Sequence, residues 1–192
     1  MDFNEFINLE GNHYPEYMTQ KEVATMLSIC KSKTQAIQKR GQFPFEYINT
    51  ENGRQQQIKT ADILRYKYRQ ICFNEPSGEF TDMLHSYFDK QLRTYPQTLV
   101  VSDIRRFTGY AKTTVNNWIE RNILKALYYQ NQRIKSPQLG RGTIIPKAEF
   151  LDFLASPYYR NIARKTAIHK EQAQDSEKLF MSFLAKRGVP NV

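Results

Sequence analysis

Thr19–Gly41 reads TQKEVATMLSICKSKTQAIQKRG, and Val100–Asn122 reads VVSDIRRFTGYAKTTVNNWIERN. Laid one on the other at a spacing of 81 residues, Val23 meets Ile104, Ile29 meets Tyr110 and Cys30 meets Ala111. Lys31 then meets Lys112, Ser32 meets Thr113, Ile37 meets Trp118 and Arg40 meets Arg121. Small or apolar positions coincide with small or apolar positions, which marks an internal repeat. Farther along, the spacing becomes 87. Gly53-Arg54 falls on Gly140-Arg141, and Ile58-Lys59-Thr60-Ala61-Asp62-Ile63 falls on Ile145-Pro146-Lys147-Ala148-Glu149-Phe150. The second copy thus holds six extra residues between helix and hairpin return, where an exposed loop accepts them.

Local signals agree within each copy. Thr19 and Ser102 are N-cap residues, and Glu22 completes a capping box with Thr19. A short helix is predicted over 20–27 or 103–108. A turn follows, Ser28-Ile29-Cys30 or Gly109-Tyr110-Ala111. A second helix opens at Ser32 or Thr113, with Ala36-Ile37 or Val115-Trp118-Ile119 facing inward. Short helix, tight turn and second helix form the helix-turn-helix arrangement. Phe45-Glu46-Tyr47-Ile48 and Ala126-Leu127-Tyr128-Tyr129 are β-prone, Asn52-Gly53 signals a hairpin, and Gln57-Ile58-Lys59 returns as its second strand. A third helix starts near Ala61-Asp62 or Ala148-Glu149. The expected fold is mainly α with small β wings, an α+β class made of two tandem winged helix-turn-helix units joined by a helical connector.

The expected divisions are an acidic N-terminal segment 1–16, a first winged unit 17–75, a connector 76–97, a second winged unit 98–160 and a C-terminal helical tail 161–192. In the connector, Phe80, Met83, Leu84, Tyr87, Phe88 and Leu92 share one helical face; near the end of the chain, Leu179, Phe180, Phe183 and Leu184 do the same. Residues 160–178 are polar and read as an exposed helix or a loose tail.

Net charge is +9, which favours a polyanionic partner. The charge is not spread evenly. Residues 17–72 carry ten Lys/Arg against four Asp/Glu, and residues 98–165 carry twelve against four. Residues 1–16 carry four acids and no Lys or Arg, and residues 76–97 are near neutral. Two basic blocks therefore coincide with the two copies. Cys30 and Cys72 make no metal-binding spacing, and His13, His85 and His169 are scattered, so neither a metal nor a cofactor is expected. Trp118 aligns with inward-facing Ile37, and core packing is its expected role. Gly140-Arg141-Gly142 lacks the strand-to-helix setting of a phosphate loop. No pair of acids and no nucleophile–base arrangement stands out, so no catalytic residue is expected. Short apolar runs and an acidic start point to a soluble cytoplasmic protein with no membrane partner.

Met18-Thr19-x-x-Glu22-Val23-Ala24-x-Met26-Leu27, then Lys31-Ser32-Lys33-Thr34, Lys39-Arg40-Gly41-Gln42-Phe43-Pro44 and Ile58-Lys59-Thr60-Ala61-Asp62-Ile63, resemble the excisionase and MerR-type winged helix-turn-helix. The likeness covers roughly residues 17–70. The second copy, about 99–155, departs from it with Asn122 where the family prefers Gly and with a longer wing. The tandem architecture is also similar to DNA-binding repressor and accessory proteins of conjugative plasmids of Gram-positive bacteria.

The resemblance implies that the second helix of each copy enters the major groove of double-stranded DNA. Helical periodicity turns Ser32, Lys33, Gln35, Gln38 and Lys39 away from Ile37, with Thr113, Thr114, Asn116, Asn117 and Glu120, together with Arg121, as their equivalents. Gln and Asn pair with adenine edges, and Lys and Arg with guanine. The expected base readers are Lys33, Gln35 and Gln38, and Thr114, Asn116 and Asn117. Lys31 and Lys112 stand at the starts of these helices. In the wings, Arg54 beside Gly53 and Arg141 between Gly140 and Gly142 should meet the minor groove or its phosphates, with Arg133 and Lys135 in the longer second wing.

These readings lead to a non-enzymatic, sequence-specific DNA-binding protein, a transcriptional repressor or a transfer or relaxosome accessory factor of a conjugative mobile element. An excisionase-like recombination factor and a protein-interaction scaffold in a replication or transfer complex stay open, as do partner proteins of transfer or recombination. A monomer acting as an internal pseudo-dimer should read an asymmetric site whose half-sites lie about one helical turn apart.

Overall fold

One carboxylate at the start of a helix sets the frame of each copy. In the computed structural model, which describes residues 1–51, 53–130 and 141–190, Glu22 accepts the Thr19 amide at 2.7 Å and Asp103 accepts the Val100 amide at 3.1 Å. Each satisfies a donor that the helix start leaves open. Ser102, expected as the second cap, lies inside its helix instead. Val100 holds the cap position, and Asp103 alone supplies the bond.

The fold is mixed α and β, helix predominating, and the chain divides into two compact units. The first unit holds Met1–Asn74 together with the chain from Ser182 onward. Its elements are α1 (Phe3–Gly11), β1 (Tyr17–Thr19), α2 (Gln20–Met26), α3 (Lys31–Lys39), β2 (Glu46–Thr50), β3 (Gly53–Lys59) and α4 (Thr60–Asn74). The second unit holds Glu75–Met181. Its elements are α5 (Glu79–Gln91), β4 (Thr98–Leu99), α6 (Val101–Thr108), α7 (Lys112–Glu120), β5 (Leu127–Gln130), β6 (Arg141–Pro146), α8 (Lys147–Ala155) and α9 (Pro157–Asn161), with α10 (Ala167–Lys186) running out of it.

Each unit carries a small three-stranded antiparallel sheet, ordered β1-β3-β2 and β4-β6-β5. The two sheets keep one register. Tyr17 faces Lys59 and Thr98 faces Pro146; Glu46 faces Gln57 and Leu127 faces Ile144. These pairs are related by the 81 and 87 spacings read from the sequence. The backbone follows the same rule outside the strands. Thr60 N–H donates to Glu16 O at 2.9 Å, and Lys147 N–H donates to Gln97 O at 2.9 Å. The left-handed positions also correspond: Ser28 (φ 52°) matches Gly109 (φ 73°), and Gly41 (φ 68°) matches Asn122 (φ 54°). Asn tolerates that conformation better than most residues, so the departure at 122 leaves the turn intact.

The first core gathers Met18, Val23, Ile37, Phe43, Ile58 and Ile63. Their repeat mates Leu99, Ile104, Trp118, Leu124, Ile145 and Phe150 are buried in the second unit. Ala36, expected inward, is exposed, and Thr34 takes the inward position one turn away. The second helix of each copy begins one residue earlier than expected, at Lys31 and Lys112, with Cys30 and Ala111 at the cap positions.

Two segments hold structure that the sequence reading leaves open. The acidic N-terminal stretch contains α1, whose Phe3 and Phe6 rings pack on Tyr68 of α4 at 5.4 and 5.2 Å. Residues 160–178 are no loose tail. His169 and Gln172 of α10 are buried, and they tie that helix to the second unit. The Gln172 amide donates to Phe107 O at 3.1 Å and accepts the Tyr159 hydroxyl at 2.7 Å, while Tyr110 and His169 Nδ1 share a hydrogen bond of 2.7 Å. Burial pushes the Tyr159 hydroxyl pKa up and the His169 pKa down. Polar side chains that satisfy each other in this way look like surface in a sequence and behave as core.

Candidate nucleic-acid interface

α3 is short, and one side of it is committed to the core by Thr34, Ile37 and Gln38. The other side presents Lys31, Ser32, Lys33, Gln35 and Lys39 to solvent. The helix carries no carboxylate. Exposed Arg40, which follows it, extends the same cationic run, and it is the repeat mate of Arg121. At the helix start Cys30 is exposed, and hydrogen bonds from the Ser32 hydroxyl and the Lys33 amide hold its thiol pKa below the ordinary value.

Gln38 does not belong to this face. It is 7% exposed, its Oε1 accepts from Gln20 Nε2 at 3.0 Å, and its own buried Nε2 has no hydrogen-bond partner. A nine-residue helix that buries positions 34, 37 and 38 turns Gln38 toward α2, so the expectation that it reads bases is withdrawn.

In the second unit α7 buries Val115, Trp118 and Ile119 and exposes Lys112, Thr113 and Asn117, with exposed Arg121 following it. Thr114 and Asn116 are half-buried. Glu120 stands where α3 has Lys39, so the sign of the charge is reversed at one position of otherwise equivalent helices. Exposed Arg105 and Arg106 on α6 add cations that the sequence reading passed over. Buried Ile104, Phe107 and Thr108 leave positions 105 and 106 facing outward, so the helical period did contain that signal.

The hairpins differ in what they offer. In the first unit the Arg54 guanidinium lies 4.0 Å from the centre of the Tyr47 ring. Tyr47 and Phe45 are half-exposed rings in edge contact at 5.5 Å. Gly53 has φ 101°, with open space where a Cβ would be, which suits the tight return into β3. Asn52 lies outside the described residues. In the second unit Leu127, Tyr128 and Tyr129 are exposed along β5. At Gly142 the ring of Tyr129, its cross-strand partner, occupies the space where a Cβ would sit. An aromatic side chain laid over a glycine is the usual way such a strand recovers contact area. Arg133 and Lys135 lie outside the described residues, as does the side chain of Arg141.

Beside the first hairpin is a groove. β3 continues past the end of β1, because β1 pairs only with Gln57–Lys59. The free flank, Arg54 to Gln56, faces α2 and the start of α3 across an open channel that also takes Lys21, Thr25 and Lys31 into its walls. No carboxylate is among the lining residues.

Among the described residues no group of three or more His, Cys, Asp or Glu side chains is placed to hold a metal ion, and no helix is long and apolar enough to cross a membrane. Compared with protein-family models, with curated proteins and with solved structures, the chain has no match.

Proposed function

We propose that each unit is a winged helix-turn-helix, with α3 and α7 as recognition helices, and that the chain is a non-enzymatic, sequence-specific double-stranded DNA-binding protein. The observation that carries this reading is the outer face of α3. Five exposed residues, Lys31, Ser32, Lys33, Gln35 and Lys39, combine cations with hydrogen-bonding groups on a helix that has no acid and is anchored from behind. That is the chemistry needed to approach phosphates and to read base edges. The likeness of Met18–Ile63 to the excisionase and MerR-type pattern supports the same reading. With the tandem repeat, it favours a repressor or a transfer accessory factor of a conjugative mobile element.

Selection of bound fragments from the parent replicon, followed by footprinting and anisotropy titration, tests the proposal. The expected site is asymmetric, because α3 and α7 carry different outward residues. Affinity should fall steeply with salt, log K dropping with log salt by about 0.9 per phosphate contacted. Binding that ignores salt, or that survives removal of both Lys33 and Gln35 side chains unchanged, would overturn it. A second reading, a scaffold that binds protein, draws on the exposed Leu127, Tyr128 and Tyr129 of β5. It predicts a weak salt dependence and no protected DNA.

A further inference from the structure

Arg54 and Tyr47 sit diagonally across the first hairpin. Tyr47 faces Gln56 in the β2–β3 register, and Arg54 lies two residues before Gln56 on the same side of the strand. Diagonal neighbours on one sheet face are within reach when one of them is aromatic. The guanidinium is 4.0 Å from the ring centre, inside the range for a cation–π contact. Among the described residues no carboxylate pairs with Arg54. The same two repeat positions hold Tyr128 and Arg141 in the second copy.

A free arginine on a hairpin has many rotamers, and ordering it on binding costs affinity. A ring beneath its plane removes part of that cost in advance and leaves the outer N–H groups for an acceptor. The surroundings say which acceptor. Arg54 stands on the rim of the channel between β3 and α2, with Lys21 from α2 and Lys31 from α3 in the opposite walls and no carboxylate lining it. Cations from three elements along one open channel suit an extended chain of single negative charges, a phosphodiester strand, better than a base edge.

We propose that Tyr47 is a positioning residue that holds Arg54 as a preset clamp on a backbone phosphate of bound DNA. This rests on the DNA-binding reading above and adds a role for Tyr47, an exposed side chain in that reading.

The experiment is an anisotropy titration of the full chain with fluorescein-labelled duplexes, one carrying the selected site and two of random sequence, A·T-rich and G·C-rich, at several salt concentrations. Arg54→Ala should weaken binding about fivefold on all three duplexes and lower the salt slope by about one. Tyr47→Leu should weaken it about two- to fourfold, the scale of an exposed cation–π contact, and Tyr47→Phe should bind as the unaltered chain does. Tyr47→Leu added to Arg54→Ala should cost nothing further, because Tyr47 acts only through Arg54. In the free protein, the Arg54 side-chain proton resonances should be shifted upfield by the ring and lose that shift in Tyr47→Leu. A further loss in the double variant would make Tyr47 a direct contact and overturn the positioning role. A loss confined to the A·T-rich duplex would place Arg54 in the minor groove and overturn the phosphate assignment. Arg54→Ala without effect would overturn the clamp while leaving DNA binding standing. Failure of the unaltered chain to bind any duplex would overturn the reading on which the clamp rests.

Discussion

The two units hold the same backbone with opposite emphasis. Between α2 and α3 the inward positions include Thr34 and Gln38; between α6 and α7 the same positions are Val115 and Ile119. Ile37 fills one core where Trp118 fills the other, and Trp118 contacts Tyr110 at 5.0 Å and Phe153 at 4.9 Å. The charges run the other way. From Gln20 to Arg40 there are five Lys/Arg against one acid, and from Val101 to Arg121 there are four against two, so the helix pair with the more apolar core carries the smaller net positive charge. A repeat freed from identical duties can divide them, one copy emphasising grip and the other stability.

The sharpest way to break that comparison is through the cores. Trp118→Ala should cost about 3–5 kcal/mol, because a large ring leaves a cavity that aromatic neighbours cannot close. Ile37→Ala, at the rim of a smaller core, should cost about 2–3 kcal/mol. Urea unfolding followed by far-ultraviolet circular dichroism gives both numbers. Equal losses would mean that the aromatic cluster adds nothing to the second unit.

Next come the left-handed positions. Gly41 has nothing within 4 Å of where a Cβ would be, so Gly41→Ala should cost only the conformational strain, about 1 kcal/mol. At Gly109 a Cβ would approach the Thr166 Cβ at 3.1 Å and its Oγ1 at 3.2 Å. Thr166 cannot step aside cheaply, since its hydroxyl donates to Thr108 O at 2.7 Å and accepts the His169 amide at 3.0 Å. Gly109→Ala should therefore cost about 2 kcal/mol, roughly twice as much. Matching melting temperatures for the two variants would contradict the contact.

Much of the fold was legible because the repeat transmits geometry. Spacings of 81 and 87 residues carry the strand pairs of one sheet onto those of the other, and they bring Ser28 onto Gly109 and Gly41 onto Asn122. Gly41, Gly109 and Asn122 mark their turns by residue type, and Ser28 does so only through its repeat mate. What stayed hidden was polar burial. A sequence does not reveal that Tyr159 bonds to Gln172 and Tyr110 to His169, or that β1 and β4, of three and two residues, add an outer strand to each sheet. The candidate interface was legible where charge and exposure coincide, at Lys31, Lys33 and Lys39. It was misread at Gln38, where one polar side chain sits on the inner edge of a short helix, and the Tyr47–Arg54 pairing needed the hairpin register.

The charge reversal is a milder test of the same division. Lys39→Glu should weaken DNA binding about tenfold, and Glu120→Lys should tighten it about threefold, each shifting the salt slope by about one. The anisotropy titrations already described measure both. If the two changes have equal and opposite effects, the units contribute equally and the division of duties fails. If Glu120→Lys weakens binding, Glu120 accepts from a base, as an acid does from cytosine N4, and the second unit reads sequence through it.

Gln38→Ile asks for the smallest change and probes the seam itself. The Gln38 Nε2 is buried without a hydrogen-bond partner, a condition that costs on the order of 1–3 kcal/mol. Ile119 shows that the backbone at this position accepts a branched apolar side chain in the core. The substitution removes the stranded amide and also removes the acceptor of Gln20, but Gln20 is half-buried and its amide can turn to water. Helix propensity subtracts a few tenths of a kcal/mol for the β-branched side chain. The net expectation is a gain of about 1 kcal/mol in the first unit, read by urea unfolding. DNA affinity should stay within about twofold, while Gln35→Ala, on the exposed face, should weaken specific binding about fivefold. A fall in stability would mean that the amide is satisfied through water and that the polar seam contributes to the fold. A fall in affinity without loss of stability would return Gln38 to the DNA face, because the only remaining route from a buried amide to DNA is a side-chain turn that exposes it on binding.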